Sequence, residues 1–305
     1  MFVEEYLRDL RRDRFAPGAL LFYVRRLATR VREQIYSNPG AVRSVWSVAL
    51  GFFSAAFLAA VGIALFYDRH LASEFFLRTA LWILLTFSFV TLFLELLRNR
   101  DGYRLSALNI PVTLTLLRVV LVPGLSLFLV EHHVRAALLL YGLAAASDVA
   151  DGWVARRFNQ ITRLGTVLDP QVDIVLNLGL FFALAGAHLL PGWVFWVAVS
   201  RYALLILGGI GLNLFVGPVR IYPTLFGRLT GVLTTGLVAM LMVLNVIGGH
   251  LRDRLESLTV IALGVMLSAT VIQVVVLGWY NLRIMTGSAE PASGRVVGDV
   301  RWGAP

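Results

Sequence analysis

The chain has 305 residues, of which 58% are hydrophobic and only 15% charged, with a mean hydropathy of +0.77, values outside ordinary globular composition. All 27 basic residues are arginine, the formal net charge is +9 and there is no cysteine, which excludes disulfides and thiolate metal sites. In so apolar a chain the positive charge points to a face that meets anionic lipid headgroups, and not to nucleic acid.

Residues 1–42 are polar and basic, with Arg8, Arg11, Arg12 and Arg14 ahead of Pro17. Leu20, Val24, Leu27 and Val31 then recur at helical spacing against Arg25, Arg26, Arg30 and Arg32, the pattern of an amphipathic helix on a membrane surface. A solvated juxtamembrane segment fits the same residues. The first apolar run, from Ser44, is too long for the core of a cleavable signal and reads as a retained span.

Crossing about 30 Å of hydrocarbon takes roughly 20 apolar residues. Such stretches predict helices at 44–67, 75–97, 110–130, 134–156, 165–187, 193–216, 229–249 and 257–281. The fold class is therefore all-α, a polytopic membrane protein. The first two spans form a hairpin with almost no interior polar groups. From Asn109 onward polar residues re-enter the helices: Asn109, Thr113, Thr115 and Arg118, later Asn177, Arg201 and Asn213. This predicts a basic amphipathic segment at 1–42, an accessory two-helix hairpin at 43–104, a six-helix catalytic bundle at 105–283 and a disordered tail at 284–305. With the N-terminus cytoplasmic, Arg98, Arg100, Arg104, Arg156, Arg157, Arg163, Arg220 and Arg228 fall inside. Only Arg69, Arg135, Arg252 and Arg254 fall outside, so the basic bias puts both termini in the cytoplasm.

The fourth and fifth spans carry four aspartates: Asp148-x-x-Asp151-Gly152-x-x-Ala155-Arg156, eight residues, then Gly165-x-x-x-Asp169-x-x-x-Asp173. Residues three or four apart share a helix face, and the short turn makes the two helices antiparallel neighbours, so the acidic faces can meet at the cytoplasmic side. Four converging carboxylates repel unless cations neutralise them. Oxygen-only ligands suit hard ions such as Mg2+ or Mn2+, and a pair of such ions suits phosphate chemistry. Gly152, Gly165 and small Ala155 leave room for a ligand close to the backbone. Aspartates that cap helix ends or pair with Arg156, Arg157 and Arg163 are the plainer alternative.

At every position this motif resembles the signature of the CDP-alcohol phosphotransferase family. The run Asn109-Ile110-Pro111, Leu114-Thr115-Leu116-Leu117-Arg118 and Pro123 is also similar to the first helix of its glycerophosphate-accepting members. The resemblance covers residues 105–283 and leaves the first hundred outside it. It implies attack of an alcohol hydroxyl on the β-phosphorus of a CDP-linked lipid, usually CDP-diacylglycerol, with release of CMP. It further implies that Asp148, Asp151, Asp169 and Asp173 hold two divalent cations and that Asp173 acts as general base. Asp148, Gly152, Ala155, Arg156, Gly165 and Asp169 would bind CDP, and the protein would be a homodimer.

Arg118 and Arg201 fall inside predicted helices, where a guanidinium faces a cavity or a partner, and Arg118 is a candidate to line the site. Arg201, Arg220 and Arg228 are candidates to bind an acceptor phosphate, with ordinary topology the alternative for the last two. The five histidines lie away from the aspartates, and Trp46, Trp82, Trp193, Trp196 and Trp279 read as interface or packing aromatics. Ile174 and Tyr202 depart from the glycerophosphate-accepting pattern, so the acceptor expected first is glycerol 3-phosphate, with an inositol phosphate, phosphatidylglycerol or another alcohol behind it. A membrane prenyltransferase would space its two aspartate motifs farther apart, and a cation transporter would hold its carboxylates near the bilayer midplane.

Overall fold

The computed structural model describes residues 17–215 and 225–285, with a few side chains inside the helices left undescribed. Among the described residues nine α-helices follow in order: α1 (Pro17–Ser37), α2 (Pro39–Phe66), α3 (Arg69–Leu92), α4 (Ile110–Val130), α5 (Val134–Arg157), α6 (Arg163–Gly186), α7 (Gly192–Phe215), α8 (Leu225–Ile247) and α9 (Gly249–Met285). Eight of them, α2 to α9, are long and apolar enough to cross a membrane. The protein is an all-α integral membrane protein.

All eight expected spans are present, and α2, α3, α8 and α9 begin earlier than hydropathy alone suggests, α3 and α9 by the most. The α3 helix starts at Arg69 because Asp68 caps it, accepting hydrogen bonds from the His70 and Leu71 amides. Those amides, Leu71 first, hold the Asp68 carboxyl below its ordinary range. Arg78 pairs with Glu74 one turn on, so the charged residues of this stretch neutralise one another. In α9, Arg252 pairs with Glu256 at 2.8 Å, which carries the helix through residues that hydropathy alone excludes. The C-terminal tail expected at 284–305 begins inside α9, and residues 286–305 lie outside the described residues.

The helices after α3 form the working bundle, with α4 packed against both α5 and α6. Without a hydrophobic drive between helices in lipid, close packing decides which faces meet. Gly124 shows this: a Cβ there would lie 2.7 Å from the Phe75 ring, so α3 rests directly on the α4 backbone. At Gly179 a Cβ would lie 2.7 Å from a Val122 methyl, which brings α6 equally close to α4.

At the end of the bundle that carries the α5–α6 turn, the first hairpin and the working helices share one apolar cluster. It joins Ala41 and Val45 of α2, Phe87 and Val90 of α3, Val112 and Leu116 of α4, and Leu164 and Leu168 of α6. The connection from α3 to α4 threads through it. Leu97 is 1% exposed, the Leu97 carbonyl accepts from the Leu105 amide, and the Arg98 carbonyl accepts from the Arg163 amide at 3.0 Å. Asn38, the N-cap of α2, donates its side-chain amide to the Leu105 carbonyl at 2.9 Å. Residues outside the expected six-helix bundle thus fix the point where α6 begins.

Candidate active site

The turn between α5 and α6 is built from capping chemistry. Asn159 takes a left-handed conformation (φ 53°), which asparagine tolerates better than most residues. This allows the Gln160 amide to reach back to the Ala155 carbonyl at 3.0 Å, closing the C-terminus of α5. Thr162 then caps α6, its hydroxyl accepting from the Gly165 amide at 3.1 Å. Between these two caps the chain reverses, and the acidic faces of α5 and α6 come together.

All four aspartates converge on one side chain, the guanidinium of Arg118 from α4. Its Nη1 lies 2.6 Å from Asp148 Oδ1 and 2.6 Å from Asp173 Oδ1, and its Nη2 lies 2.7 Å from Asp151 Oδ2 and 4.0 Å from Asp169 Oδ1. Three turns of polypeptide therefore meet at a single cation. Thr115, one turn earlier on the same face of α4, sits 3.1 Å from Asp151 Oδ2, 3.0 Å from Asp169 Oδ1 and 3.0 Å from the Pro111 carbonyl. Its hydroxyl has one proton to donate among three acceptors.

Side-chain exposure separates a floor from a rim. Arg118 is 2% exposed and Asp151 12%, while Asp148, Asp169 and Asp173 are 59%, 50% and 56% exposed. Arg118 thus lies beneath the carboxylates, and each aspartate keeps a second oxygen that no described side chain engages. Among the described residues no group of three or more acidic or histidine side chains forms a ready-made metal cage. One oxygen of each of these four is turned to the guanidinium instead. The donor set nonetheless suits hard divalent ions, since it is all carboxylate oxygen and Asp148, Asp169 and Asp173 are at least half exposed.

Beside the aspartates a small cleft of about 70 Å³ runs between α4, the end of α5, the turn and α6. Thr115, Asp151, Gly152, Ala155, Gly165 and Asp169 line it, together with Pro111, Val112, Thr166 and the turn residues 160–162. A Cβ on Gly165 would lie 3.2 Å from the Thr162 hydroxyl and 3.4 Å from Val112, and one on Gly152 would lie 3.2 Å from Arg156 Nη1. Both glycines therefore keep the cleft open.

The other expected arginines lie elsewhere. Arg201 on α7 folds its guanidinium over the Tyr202 ring, 5.0 Å from the centroid, and donates to the Tyr202 hydroxyl at 3.2 Å. It makes no ion pair with the four aspartates, and its Nε is buried without a partner. Arg220 lies outside the described residues, as does the side chain of Arg228 near the start of α8. Thr115 has no expected role in the sequence reading and Arg118 only a marginal one. Their i, i+3 spacing puts both on one face of α4, and packing turns that face to the aspartates.

Residues 108–279 match a family model for CDP-alcohol phosphatidyltransferase. The chain is 31% identical over 144 residues to a CDP-diacylglycerol--glycerol-3-phosphate 3-phosphatidyltransferase from Aquifex aeolicus (strain VF5), covering 46% of this chain and 78% of that protein. It is 41% identical over 98 residues to the enzyme of the same name from Escherichia coli (strain K12), covering 31% of this chain and 53% of that one. The chain thus spans about half the length of the Escherichia coli relative. No solved structure matches.

Proposed function

The chain belongs to the CDP-alcohol phosphatidyltransferase family, and we propose that it transfers the phosphatidyl group of CDP-diacylglycerol to glycerol 3-phosphate with release of CMP. The observation that carries this reading is the convergence of Asp148, Asp151, Asp169 and Asp173 beside a glycine-lined cleft. The names of both relatives support the acceptor.

Two divalent ions, Mg2+ or Mn2+, would be held by the outward oxygens of the four aspartates and would supply charge stabilisation for the diphosphate. The chain's own groups do the rest. Gly152, Ala155 and Gly165 admit the cytidine portion close to the backbone, with Asp148 and Asp169 at its edge and the Arg156 guanidinium over Gly152. Asp173, half exposed at the rim, takes the proton of the acceptor hydroxyl as that oxygen attacks the β-phosphorus. The bond from that phosphorus to the CMP oxygen breaks, and CMP leaves with the electron pair.

Arg201, Arg220 and Arg228 are the groups for the acceptor phosphate, because a guanidinium fork matches phosphate oxygens. In support, the buried Nε of Arg201 lacks a partner that a ligand oxygen would supply. The site and both termini face the cytoplasm, an assignment supported by the arginine bias. Residues 105–283 carry the chemistry, 43–104 act as an accessory hairpin, and the protein works as a homodimer. Cysteines introduced at Arg157 and Glu131, in a chain with no cysteine of its own, test the orientation. Labelling of the Arg157 position from outside intact cells contradicts it, and a monomeric mass in lipid nanodiscs contradicts the dimer.

The activity test uses the purified full chain with Mg2+ or Mn2+, CDP-diacylglycerol and a panel of alcohols. CMP should form with glycerol 3-phosphate, and Asp151→Asn or Asp169→Asn should abolish it. No CMP with any alcohol overturns the reaction class, and CMP with phosphatidylglycerol or an inositol phosphate alone overturns the acceptor. Replacing Arg201, Arg220 and Arg228 singly by Ala should raise the acceptor KM, and three unchanged values remove the phosphate role.

A further inference from the structure

The one buried cation among the described residues of the site has no place in the proposed chemistry. Arg118 reaches all four aspartates, yet it lies on the closed side of the site, under the carboxylates and away from the side open to ligands. A guanidinium 2% exposed is expensive in this setting unless something holds it there. Its Nε is buried without any hydrogen-bond partner, a further cost of this placement. What holds it is charge: four carboxylates within 4.0 Å of its terminal nitrogens.

We infer that Arg118 is the resident counter-cation of the aspartate site, holding the four carboxylates together while metal is absent and opposing metal when it arrives. The inference rests on the proposed metal site and adds a residue to it. Without Arg118, four carboxylates share one end of a helix pair with no described cation within ion-pair distance. Their repulsion would drive α5 and α6 apart. With it, the inward oxygens are neutralised and the outward ones stay available. A divalent cation arriving at the same carboxylates competes for their charge and is repelled by the guanidinium. Arg118 and metal are therefore antagonists, and the arginine keeps the site assembled without letting it trap its metal.

The antagonism fixes the sign of the effect. In Arg118→Met the site loses its own cation, so Mn2+ should bind more tightly, by on the order of tenfold. A merely structural arginine gives the opposite result, since its loss loosens the site and weakens binding. The experiment is a Mn2+ titration of the purified full chain in nanodiscs, followed by electron paramagnetic resonance, with thermal unfolding measured with and without Mn2+. Arg118→Met should show the tighter binding, a lower midpoint without metal and a larger Mn2+-induced rise than the wild type. Arg118→Lys, which keeps the charge but not the fork, should lie between, and it carries the comparison if the Met variant does not fold. Equal or weaker Mn2+ binding in the variants, with clear binding in the wild type, overturns the inference and leaves the proposed function standing. Absence of Mn2+ binding in the wild type overturns the metal reading and this inference together.

Discussion

At the scale of single residues, the site is a problem of charge placed in apolar surroundings, and α4 solves it with two side chains. Arg118 supplies the positive charge and Thr115 a hydroxyl within hydrogen-bond reach of both Asp151 and Asp169, to one of which it can donate at a time. Thr115 lines the cleft and lies against Asp151 and Asp169, but it carries no charge to offer a metal or a phosphate. Its contribution is orientation, and supporting hydrogen bonds of this kind are worth about 10- to 100-fold in activity or metal affinity. Thr115→Val keeps the shape and removes the hydroxyl, so kcat should fall within that range while the fold is retained. A kcat within twofold of wild type would show that the carboxylates orient themselves. The aspartates and glycines were legible in the sequence because their chemistry is carried by residue type at helical spacing. Arg118 was visible as a candidate to line the site and Thr115 as a polar residue in an apolar helix, but their contacts with the aspartates were not, since nothing local says that α4 packs across both α5 and α6.

At the scale of elements, helix ends decide where the site forms. The left-handed Asn159 and the Thr162 cap make a turn short enough to bring Asp151 and Asp169 onto one hydroxyl. The number and order of the spans followed from apolar length alone. The early starts of α3 and α9 did not, because caps and local ion pairs offset the charges that a hydropathy argument penalises. The role of the first hairpin was equally hidden. Its Trp82, which reads as an interface or packing aromatic, donates its indole N–H to the Val119 carbonyl at 2.9 Å, next to Arg118. Hydrogen bonds between membrane helices average about 0.6 kcal/mol. Trp82→Phe should therefore lower stability by roughly that amount plus a small packing loss, read as a lower unfolding midpoint in detergent. A change in kcat with the midpoint unmoved would mean that the hairpin acts on the chemistry and not on the frame.

At the scale of the whole molecule, the family match begins at residue 108, but the packing does not stop there. The shared cluster of Val45, Phe87, Leu97, Leu116 and Leu164, with the main-chain bond from Arg163 to Arg98, makes the first hairpin part of the frame of the site. Sequence separated these parts because only one of them carries polar chemistry, and packing joins them because both end at the same turn. The central claim is that four aspartates at this turn move a phosphatidyl group onto glycerol 3-phosphate. Its most direct test is the stoichiometry of the reaction of the purified full chain, with CMP and new lipid counted together by mass spectrometry. The account predicts one phosphatidylglycerophosphate for each CMP, and neither product from Asp169→Asn. CMP released without a glycerophosphate-containing lipid, or lipid formed equally well by the variant, would contradict it.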